Sequence, residues 1–540
     1  EGLSGMANNG TVKAEGFLAF LVQDAQVSTG KYALAAMLLA LAIVLQKVLY
    51  PEIDAREPPP MKPKIPIIGH LVGIIQHQSQ YLKVLENRNA AIATLPILNG
   101  KIYAVWDPFL IQAVYRNRNL SFEPYAVEFA YKSLGFSKET NKLLQEQGHS
   151  LVPEFFEGIQ VGMGSKYVHR MNTNALSYVA TMLENMSQGS ESFQAANFFV
   201  WVRDLMTVAT TEALYGPGNP FKNHPNLLED AWIYERDLTK VMIGIFPSIT
   251  ARECFYARKR VQTALGQYYE SKLDLHEDAA QVVKNRAAVL RKYGITGEQV
   301  GIFEISMLHV STANTIPALF WFIMHVFTRP NLVSRLREEV LPVAQHGGDG
   351  QVTIEIGSLD ERCPLLFSCY REAIRVSNRA VGNRRVMEDT TISDGNGNTY
   401  FLKKGCDLQL SAQVEHSLEK AWGPNALAFL PERFLEKGIK ENTEQERLKR
   451  ASYVPFGGGK SLCPGRHFAF AETLGFVTSL LLGFEVAVLD EGGNVTNKMP
   501  EAAGCSLSTS VQKPVNNGEG FGVRIQRRQG WGKVTWRYNS

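Results

Sequence analysis

The chain has 540 residues, of which 45% are hydrophobic and 20% charged, as in a globular protein with a large core. Its 56 basic and 53 acidic residues leave a net charge of +3, and no long basic run occurs, so no nucleic-acid partner is expected. The six cysteines are scattered and form no Cys-x-x-Cys pair, which argues against a structural zinc site and against a disulfide framework.

The N-terminal part predicts a membrane anchor. Residues 1–31 are polar and mixed, whereas residues 32–50 are mostly apolar, carry one charge and are about long enough to cross a bilayer. A short, buried, Ala-rich helix is the alternative. Fewer basic residues precede this span than follow its apolar core: Lys13 and Lys31, against Lys47, Arg56, Lys62 and Lys64. This bias places the larger C-terminal part in the cytoplasm.

After the anchor we predict a linker at 51–66, a globular domain at 67–527 and a C-terminal tail at 528–540. Five prolines make the linker stiff and extended: Pro58, Pro59, Pro60, Pro63 and Pro66. Apolar patterns in the domain predict helices at 194–214, 226–243, 257–294, 297–327, 331–345 and 362–376. Short strands are predicted within 385–410, with a turn at 394–397. The fold class is therefore mainly α with small β-sheets.

The segment 456–466 contains the sharpest local pattern. Three consecutive glycines allow a tight turn and a close approach to a flat ligand. Cys463 and Pro464 follow, just before an apolar helix predicted at 466–482, where helix N–H groups would stabilise a thiolate. One alternative is a phosphate-binding loop, although Val454 stands where its first glycine belongs. Another is a plain glycine turn beside a buried cysteine.

The same segment resembles the haem-binding signature of cytochromes P450. Every fixed position of F-x-x-G-x-x-x-C-x-G is filled, by Phe456, Gly459, Cys463 and Gly465. The resemblance implies a cytochrome P450 fold and a bound haem b whose iron is ligated by the Cys463 thiolate. The family commonly has Arg two positions before the cysteine, whereas this chain has Ser461, with Lys460 as a candidate replacement.

Two further patterns support this resemblance. Glu372 and Arg375 match the family's E-x-x-R, and Arg433 lies in a downstream Pro-Glu-Arg-Phe string. The resemblance implies that these three charges form a structural cluster behind the haem. The strand after E-x-x-R commonly supplies a base to a haem propionate, for which Arg384 is the first candidate and Arg385 the second. A solvated basic pair is the alternative.

The long apolar stretch 297–327 departs from the family pattern. Where the family has an acid and a threonine that deliver protons to the reacting oxygen, this chain has Ala313 and Asn314. Asparagine forms hydrogen bonds but does not titrate, so Asn314 and Thr315 are the catalytic candidates. Pro317 lacks an N–H and leaves the carbonyl of Ala313 without its helical donor, which predicts a kink there.

The string A-N-T-I-P-A at 313–318 resembles the branch with sterol 7α- and 12α-hydroxylases and prostacyclin synthase. The string at 214–221 resembles fungal members. The resemblance implies a membrane-bound monooxygenase that inserts one oxygen from O2 into a hydrophobic small molecule of fungal secondary metabolism (a polyketide, terpenoid, steroid or alkaloid). NADPH-cytochrome P450 reductase and membrane lipid are the implied partners. The implied location is the endoplasmic reticulum, with a single span and a cytoplasmic haem domain.

Two other functions stay open. A haem isomerase or dehydratase acting on a peroxide needs neither a reductase nor the missing proton relay. A haem-binding sensor without catalysis is the third hypothesis. For an enzyme, we expect the substrate pocket to be lined by Phe303, Leu308, Ser311, Thr312, Val381 and the turn 503–511.

Overall fold

The computed structural model describes residues 33–41, 44, 50–65, 68–86, 90–186, 192–222, 224–348, 350–435, 443–504 and 509–539. The predicted N-terminal segment and much of the anchor lie outside these residues. Within the anchor, residues 33–41 are helical and exposed. In the described chain, Glu298–Phe327 alone has the length and apolarity of a membrane span, and 67% of its apolar window is buried, as in a core helix.

The fold is mainly helical, as predicted. The helices are α1 (Leu71–His77), α2 (Tyr81–Leu85), α3 (Pro108–Arg116), α4 (Glu123–Ser133), α5 (Lys138–Gly162), α6 (Ser165–Asn185), α7 (Phe198–Tyr215), α8 (Pro225–Ile243), α9 (Pro247–Thr250), α10 (Arg252–Glu270), α11 (Gln281–Lys292), α12 (Glu298–Thr312), α13 (Thr315–Phe327), α14 (Pro330–Val340), α15 (Leu359–Arg362), α16 (Pro364–Ser377), α17 (Ala412–His416), α18 (Glu419–Trp422), α19 (Glu444–Ser452) and α20 (Arg466–Gly483).

Small sheets surround the helices. The strands are β1 (Ile92–Ile97), β2 (Gly100–Val105), β3 (Leu120–Ser121), β4 (Phe193–Ala195), β5 (Ala344–His346), β6 (Gln351–Glu355), β7 (Val381–Val386), β8 (Thr390–Ser393), β9 (Thr399–Leu402), β10 (Asp407–Ser411), β11 (Phe484–Leu489), β12 (Gly522–Arg527) and β13 (Thr535–Asn539). The largest sheet has the order β1-β2-β10-β7-β3, and only its β2–β10 pair is parallel. The turn predicted at 394–397 joins β8 to β9.

Two predicted helices are divided. The stretch 257–294 contains the end of α10 and all of α11, separated by a turn in which Lys272 has φ of 57°. Asp274 in this turn accepts both guanidinium bonds of Arg291, at 2.7 and 2.8 Å, which fixes the turn against α11. The stretch 297–327 is interrupted between Thr312 and Thr315, where the kink was predicted.

The described part of the predicted linker, residues 51–65, packs on the domain. Pro60 forms a parallel bridge with Thr94 of β1, and the N–H of Met61 donates to the Thr94 carbonyl at 2.8 Å. Glu57 is buried and pairs with Lys101 of β2 at 2.7 Å. Proline blocks only its own N–H, so neighbouring backbone groups in this segment still pair with the sheet edge.

Residues 528–540 were predicted to be a tail outside the domain, but Thr535–Asn539 form a strand of the domain. β13 pairs in parallel with β6, and Trp536 and Tyr538 are buried in the main core. The Tyr538 hydroxyl lies 2.7 Å from that of Ser479 in α20. The domain therefore extends at least to residue 539, because aromatic residues near its end complete the core around α20.

α20, which follows the cysteine loop, lies at the centre of this core. Every residue from Ala471 to Gly483 is buried. A Cβ added at Gly475 would lie 2.7 Å from the Leu176 side chain of α6, so the two helices approach closely there. Glu472 is also buried, accepts a hydrogen bond from Thr210 at 3.0 Å, and has a pKa that burial raises to about 8.

We expect Glu472 to make stability depend on pH. Its folded-state pKa lies above the ordinary 4.5, so the folded protein binds the proton more tightly than the unfolded chain. The free energy of unfolding should then fall as pH rises from about 4.5 to about 8, by up to about 1.4 kcal/mol per pH unit. Chemical unfolding at several pH values should show this slope to be reduced in Glu472→Gln and retained in the exposed control Glu491→Gln. Equal slopes in wild type and Glu472→Gln would contradict it.

Candidate active site

The cysteine loop turns tightly before α20. Gly457 and Gly459 have φ of 70° and 63°, a region in which other residues are strained. A 3-10 turn covers Gly459–Ser461, and the N–H of Cys463 donates to the carbonyl of Phe456 at 3.0 Å. The four residues of the predicted signature therefore form one compact turn that ends at the helix N-terminus.

The loop glycines also allow a close approach to Tyr115 of α3. A Cβ at Gly458 would lie 2.3 Å from the Tyr115 ring, and one at Gly459 would lie 2.0 Å from its carbonyl oxygen. Burial raises the pKa of the Tyr115 phenol to about 12. Sequence reasoning missed Tyr115, because the glycine run predicts a close neighbour without identifying it.

The Cys463 thiol is partly buried beside the start of α20. Burial raises its pKa, whereas the backbone N–H groups of Gly465 and Arg466 and the charge of Arg466 act in the opposite direction. The Arg466 guanidinium also donates to the Cys463 carbonyl at 3.0 Å. Burial outweighs these groups, so the pKa of the thiol is raised overall, and the helix start offsets only part of the cost of the anionic form.

The two arginines predicted for a propionate have different surroundings, and of the two it is Arg384 that contacts the cysteine loop. It is buried, donates to the Gly458 carbonyl at 3.3 Å and lies over the Tyr115 ring at 5.2 Å. No carboxylate among the described residues lies within ion-pairing distance of it, and burial lowers its pKa. Arg385 instead pairs with Asp407 and Glu128. Lys460, the candidate replacement in the loop, is exposed.

The three charges predicted to form a structural cluster lie together. Arg375 forms two bonds to the Glu372 carboxylate, at 2.7 and 2.8 Å, and Arg433 forms a third at 2.7 Å. Glu372 and Arg375 are almost completely buried. Arg375 also donates to the carbonyls of His416 and Ala426, so the cluster joins α16 to the segment before the cysteine loop.

Asn314 lies in the break between α12 and α13, where its side chain performs a task that the sequence did not predict. Its Oδ1 accepts hydrogen bonds from the backbone N–H groups of Ser510, at 2.7 Å, and Val511, at 3.2 Å. The side-chain oxygen is therefore occupied, and only the amide NH2 can donate to a reacting group. Thr315 is the first residue of α13.

The predicted pocket residues lie in different surroundings. Leu308 and Thr312 line a cavity between α8 and α12. Phe303 packs instead between Phe136 and Phe155, with ring centroids 4.6 and 6.2 Å away. Ser311 donates to the Leu308 carbonyl within its own helix. Val381 begins β7. Of the turn 503–511, residues 505–508 lie outside the described chain.

A sequence profile of the cytochrome P450 family matches residues 58–512. The chain belongs to the cytochrome P450 family. The matched region includes the cysteine loop, the Glu372 cluster and the helix break, so the resemblance predicted from these motifs is confirmed.

Individual relatives agree with this assignment. A cytochrome P450 monooxygenase of Gibberella zeae is 42% identical over 93% of this chain and 95% of its own. The human 7-alpha-hydroxycholest-4-en-3-one 12-alpha-hydroxylase is 22% identical over 80% of this chain and 87% of its own. Among solved structures, the retinoic acid bound cyanobacterial CYP120A1 is similar with a TM-score of 0.63, at 15% identity, and covers 88% of this chain and 100% of its own. The family profile and the Gibberella zeae relative support an oxidoreductase of the P450 monooxygenase type, and the structural match supports the fold.

The described residues of this P450 fit the haem that the family implies. Cys463 is partly exposed at a helix start, where a thiolate could ligate the haem iron. Arg384 is a buried cation without a carboxylate partner among the described residues, which suits a propionate.

Glu372→Gln should strongly destabilise this P450, because it leaves two buried guanidinium groups without their carboxylate. The expected loss in unfolding free energy is about 3–5 kcal/mol, with loss of bound haem. The matched control is Glu432→Gln, since Glu432 pairs with Arg335 in a largely exposed bridge worth at most about 1 kcal/mol. Chemical unfolding and haem content measure both effects, and equal destabilisation by the two variants would contradict the role of the cluster.

Substitutions of Asn314 should separate its acceptor from its donor. Asn314→Asp retains an oxygen for the N–H groups of Ser510 and Val511, whereas Asn314→Ala removes it at a cost of about 1 kcal/mol per bond. Hydrogen exchange of these two amides should accelerate in Asn314→Ala and change little in Asn314→Asp. Thr315→Ala is the control, because no hydrogen bond joins Thr315 to the described part of this turn. Unchanged exchange in Asn314→Ala would show that the contact is dispensable.

Proposed function

We propose that the protein is a haem-thiolate monooxygenase that inserts one oxygen atom from O2 into a hydrophobic small molecule. The observation that carries this proposal is the partly buried Cys463 at the start of α20, with the buried cation of Arg384 beside its loop to hold a propionate of haem b. Haem held there supplies the redox chemistry with oxygen. The residues of the chain hold the group, exclude water and deliver protons.

The reaction consumes the substrate C–H bond, O2, two electrons and two protons, and yields the hydroxylated product and water. Asn314 and Thr315 lie at the helix break, where the family's proton-delivering residues lie. The NH2 group of Asn314 can orient a water molecule, and the Thr315 hydroxyl can relay its proton. Arg384 holds a propionate, while Glu372, Arg375 and Arg433 hold the scaffold.

The electrons come from NADPH through a membrane-bound cytochrome P450 reductase, with the haem domain on the cytoplasmic side of the endoplasmic reticulum. Contact with membrane lipid is supported by two exposed apolar regions. One is the helical segment 33–41, in which Leu34 is 52% exposed. The other joins α8 to α9 and exposes Ile245, Phe246 and Ile249 by 63–76%. Exposed apolar surfaces of this kind are stabilised by contact with membrane lipid.

The substrate is proposed to be a polyketide, terpenoid, steroid or alkaloid of fungal secondary metabolism. The relative from the fungus Gibberella zeae supports a role in fungal metabolism. The human relative is named for its action on a sterol, which supports a bulky apolar molecule. An isomerase or dehydratase acting on a peroxide is not favoured, because the similar proteins are named as monooxygenases and hydroxylases.

The proposal is tested in membranes that contain the full chain and a P450 reductase. The reduced, carbon-monoxide-bound protein should show the red-shifted Soret band of a thiolate ligand, and Cys463→Ala should abolish it. Cys406→Ala, another partly exposed cysteine, should retain the band. Comparison of host metabolites with and without NADPH should reveal a product heavier by one oxygen atom. A band retained in Cys463→Ala, or turnover of a lipid peroxide without electrons, would overturn the proposal.

A further inference from the structure

The Tyr115 side chain lies between the cysteine loop and β7. A Cβ on Gly458 would lie 2.3 Å from the Tyr115 ring, so the ring packs directly on the backbone of the loop. At the other end of the side chain, the hydroxyl oxygen lies 3.8 Å from the position that a Cβ on Gly382 would take, near the start of β7. The side chain therefore spans the distance from the loop to this strand.

Arg384 lies on the same face of β7 as Gly382, because residues two apart in a strand point to the same side of the sheet. The carbon at the centre of its guanidinium lies 5.2 Å from the centre of the Tyr115 ring and 5.8 Å from that of the Phe122 ring. Contacts between a cation and an aromatic face are attractive. The two rings thus hold the guanidinium beside the Tyr115 side chain.

Both groups have donors to spare. The Tyr115 hydroxyl forms no hydrogen bond with the residues that the structure describes. Within the same residues, Arg384 donates to the carbonyls of Asn383, at 2.8 Å, and Gly458, at 3.3 Å, although a guanidinium has five N–H donors. Buried polar groups are normally paired. Two adjacent groups with unused donors suit a carboxylate, which offers two acceptor oxygens.

The cysteine loop does not place a base of its own in this position. Ser461 stands where the family commonly has arginine, and the Lys460 side chain beside it is exposed. Tyr115 reaches the same loop from α3. Burial raises the pKa of its phenol to about 12, so the hydroxyl keeps its proton at neutral pH and remains a donor.

We propose that the Tyr115 hydroxyl donates a hydrogen bond to the haem propionate that Arg384 binds, in place of the missing loop arginine. The propionate supplies the acceptor that both groups lack, and the packing of the Tyr115 ring on the loop and on the guanidinium keeps the two donors together. This inference rests on the proposed function, because it needs haem bound at Cys463.

Haem release from the full-length holoprotein tests the hydroxyl. The protein is mixed with an excess of a haem-scavenging apoprotein, and the loss of haem is followed by absorbance. Tyr115→Phe keeps the ring and removes the hydroxyl, so haem should leave about tenfold or more faster than from wild type, as for the loss of one hydrogen bond to a charged group. Tyr400→Phe should release haem as wild type does, because Tyr400 is another partly buried tyrosine that packs against the same apolar cluster. Equal rates in wild type and Tyr115→Phe would overturn the inference.

A vibrational signature separates a bond to the propionate from a general loosening of the haem site. The propionate-bending band in the resonance Raman spectrum should shift in Tyr115→Phe and keep its position in Tyr400→Phe. Faster haem loss without a shift of this band would give the hydroxyl a packing role alone and would overturn the inference.

Arg384→Gln tests whether the two residues bind the same propionate. Residues that share a partner have non-additive effects, so Tyr115→Phe should accelerate haem loss less in the Arg384→Gln background than in wild type. The same acceleration in both backgrounds would show that the two residues bind different groups, and it would overturn the shared site.

The two proposals fail in different ways. If wild type lacks the thiolate Soret band, the proposed function fails and this inference fails with it. If the band is present but Tyr115→Phe retains haem as wild type does, only the assignment of Tyr115 fails.

Discussion

The buried carboxylate of Glu372 is the interaction on which the proximal side of this P450 depends. One carboxylate accepts three guanidinium bonds from two arginines, and both arginines use their remaining donors on backbone carbonyls before the cysteine loop. The contact continues through His416, whose backbone carbonyl accepts from Arg375 and whose ring nitrogen accepts from the Val454 N–H at 3.2 Å. Val454 lies nine residues before Cys463, at the entrance of its loop. Charge-assisted hydrogen bonds of this kind are directional, so they fix the position of the loop.

Sequence alone predicted the local features well. The cysteine turn needs glycine at positive φ and a helix immediately after it, and both requirements are visible within eleven residues. The helix break is also a local feature, because Pro317 lacks the N–H that would donate to the Ala313 carbonyl one turn earlier. The Glu372 cluster joins residues 61 apart, and only the family pattern brought Arg433 to attention.

Long-range partners explain what could not be predicted. Asn314 was assigned to the reacting oxygen, yet its Oδ1 bonds a turn 196 residues later in the chain. Tyr115 packs against the glycines of the cysteine loop, although it belongs to a helix more than 300 residues earlier in the chain. The prolines of 51–66 predicted a stiff, extended linker, but not that Pro60 would pair with Thr94 at the edge of a sheet. In each case the sequence indicated that a residue had a special role, but it did not identify the distant residue that it contacts.

One residue connects the two sides of the active site. The Asn378 side chain, just after α16, donates to the Pro455 carbonyl at 3.0 Å in the segment that leads into the cysteine loop. Its backbone pairs with Val511, in the turn that also bonds Asn314. The end of the helix that carries Glu372 therefore contacts the cysteine loop on one side and the Asn314 turn on the other. Because α16 is mostly buried and tightly bonded, a shift of this turn would act directly on the support of the cysteine.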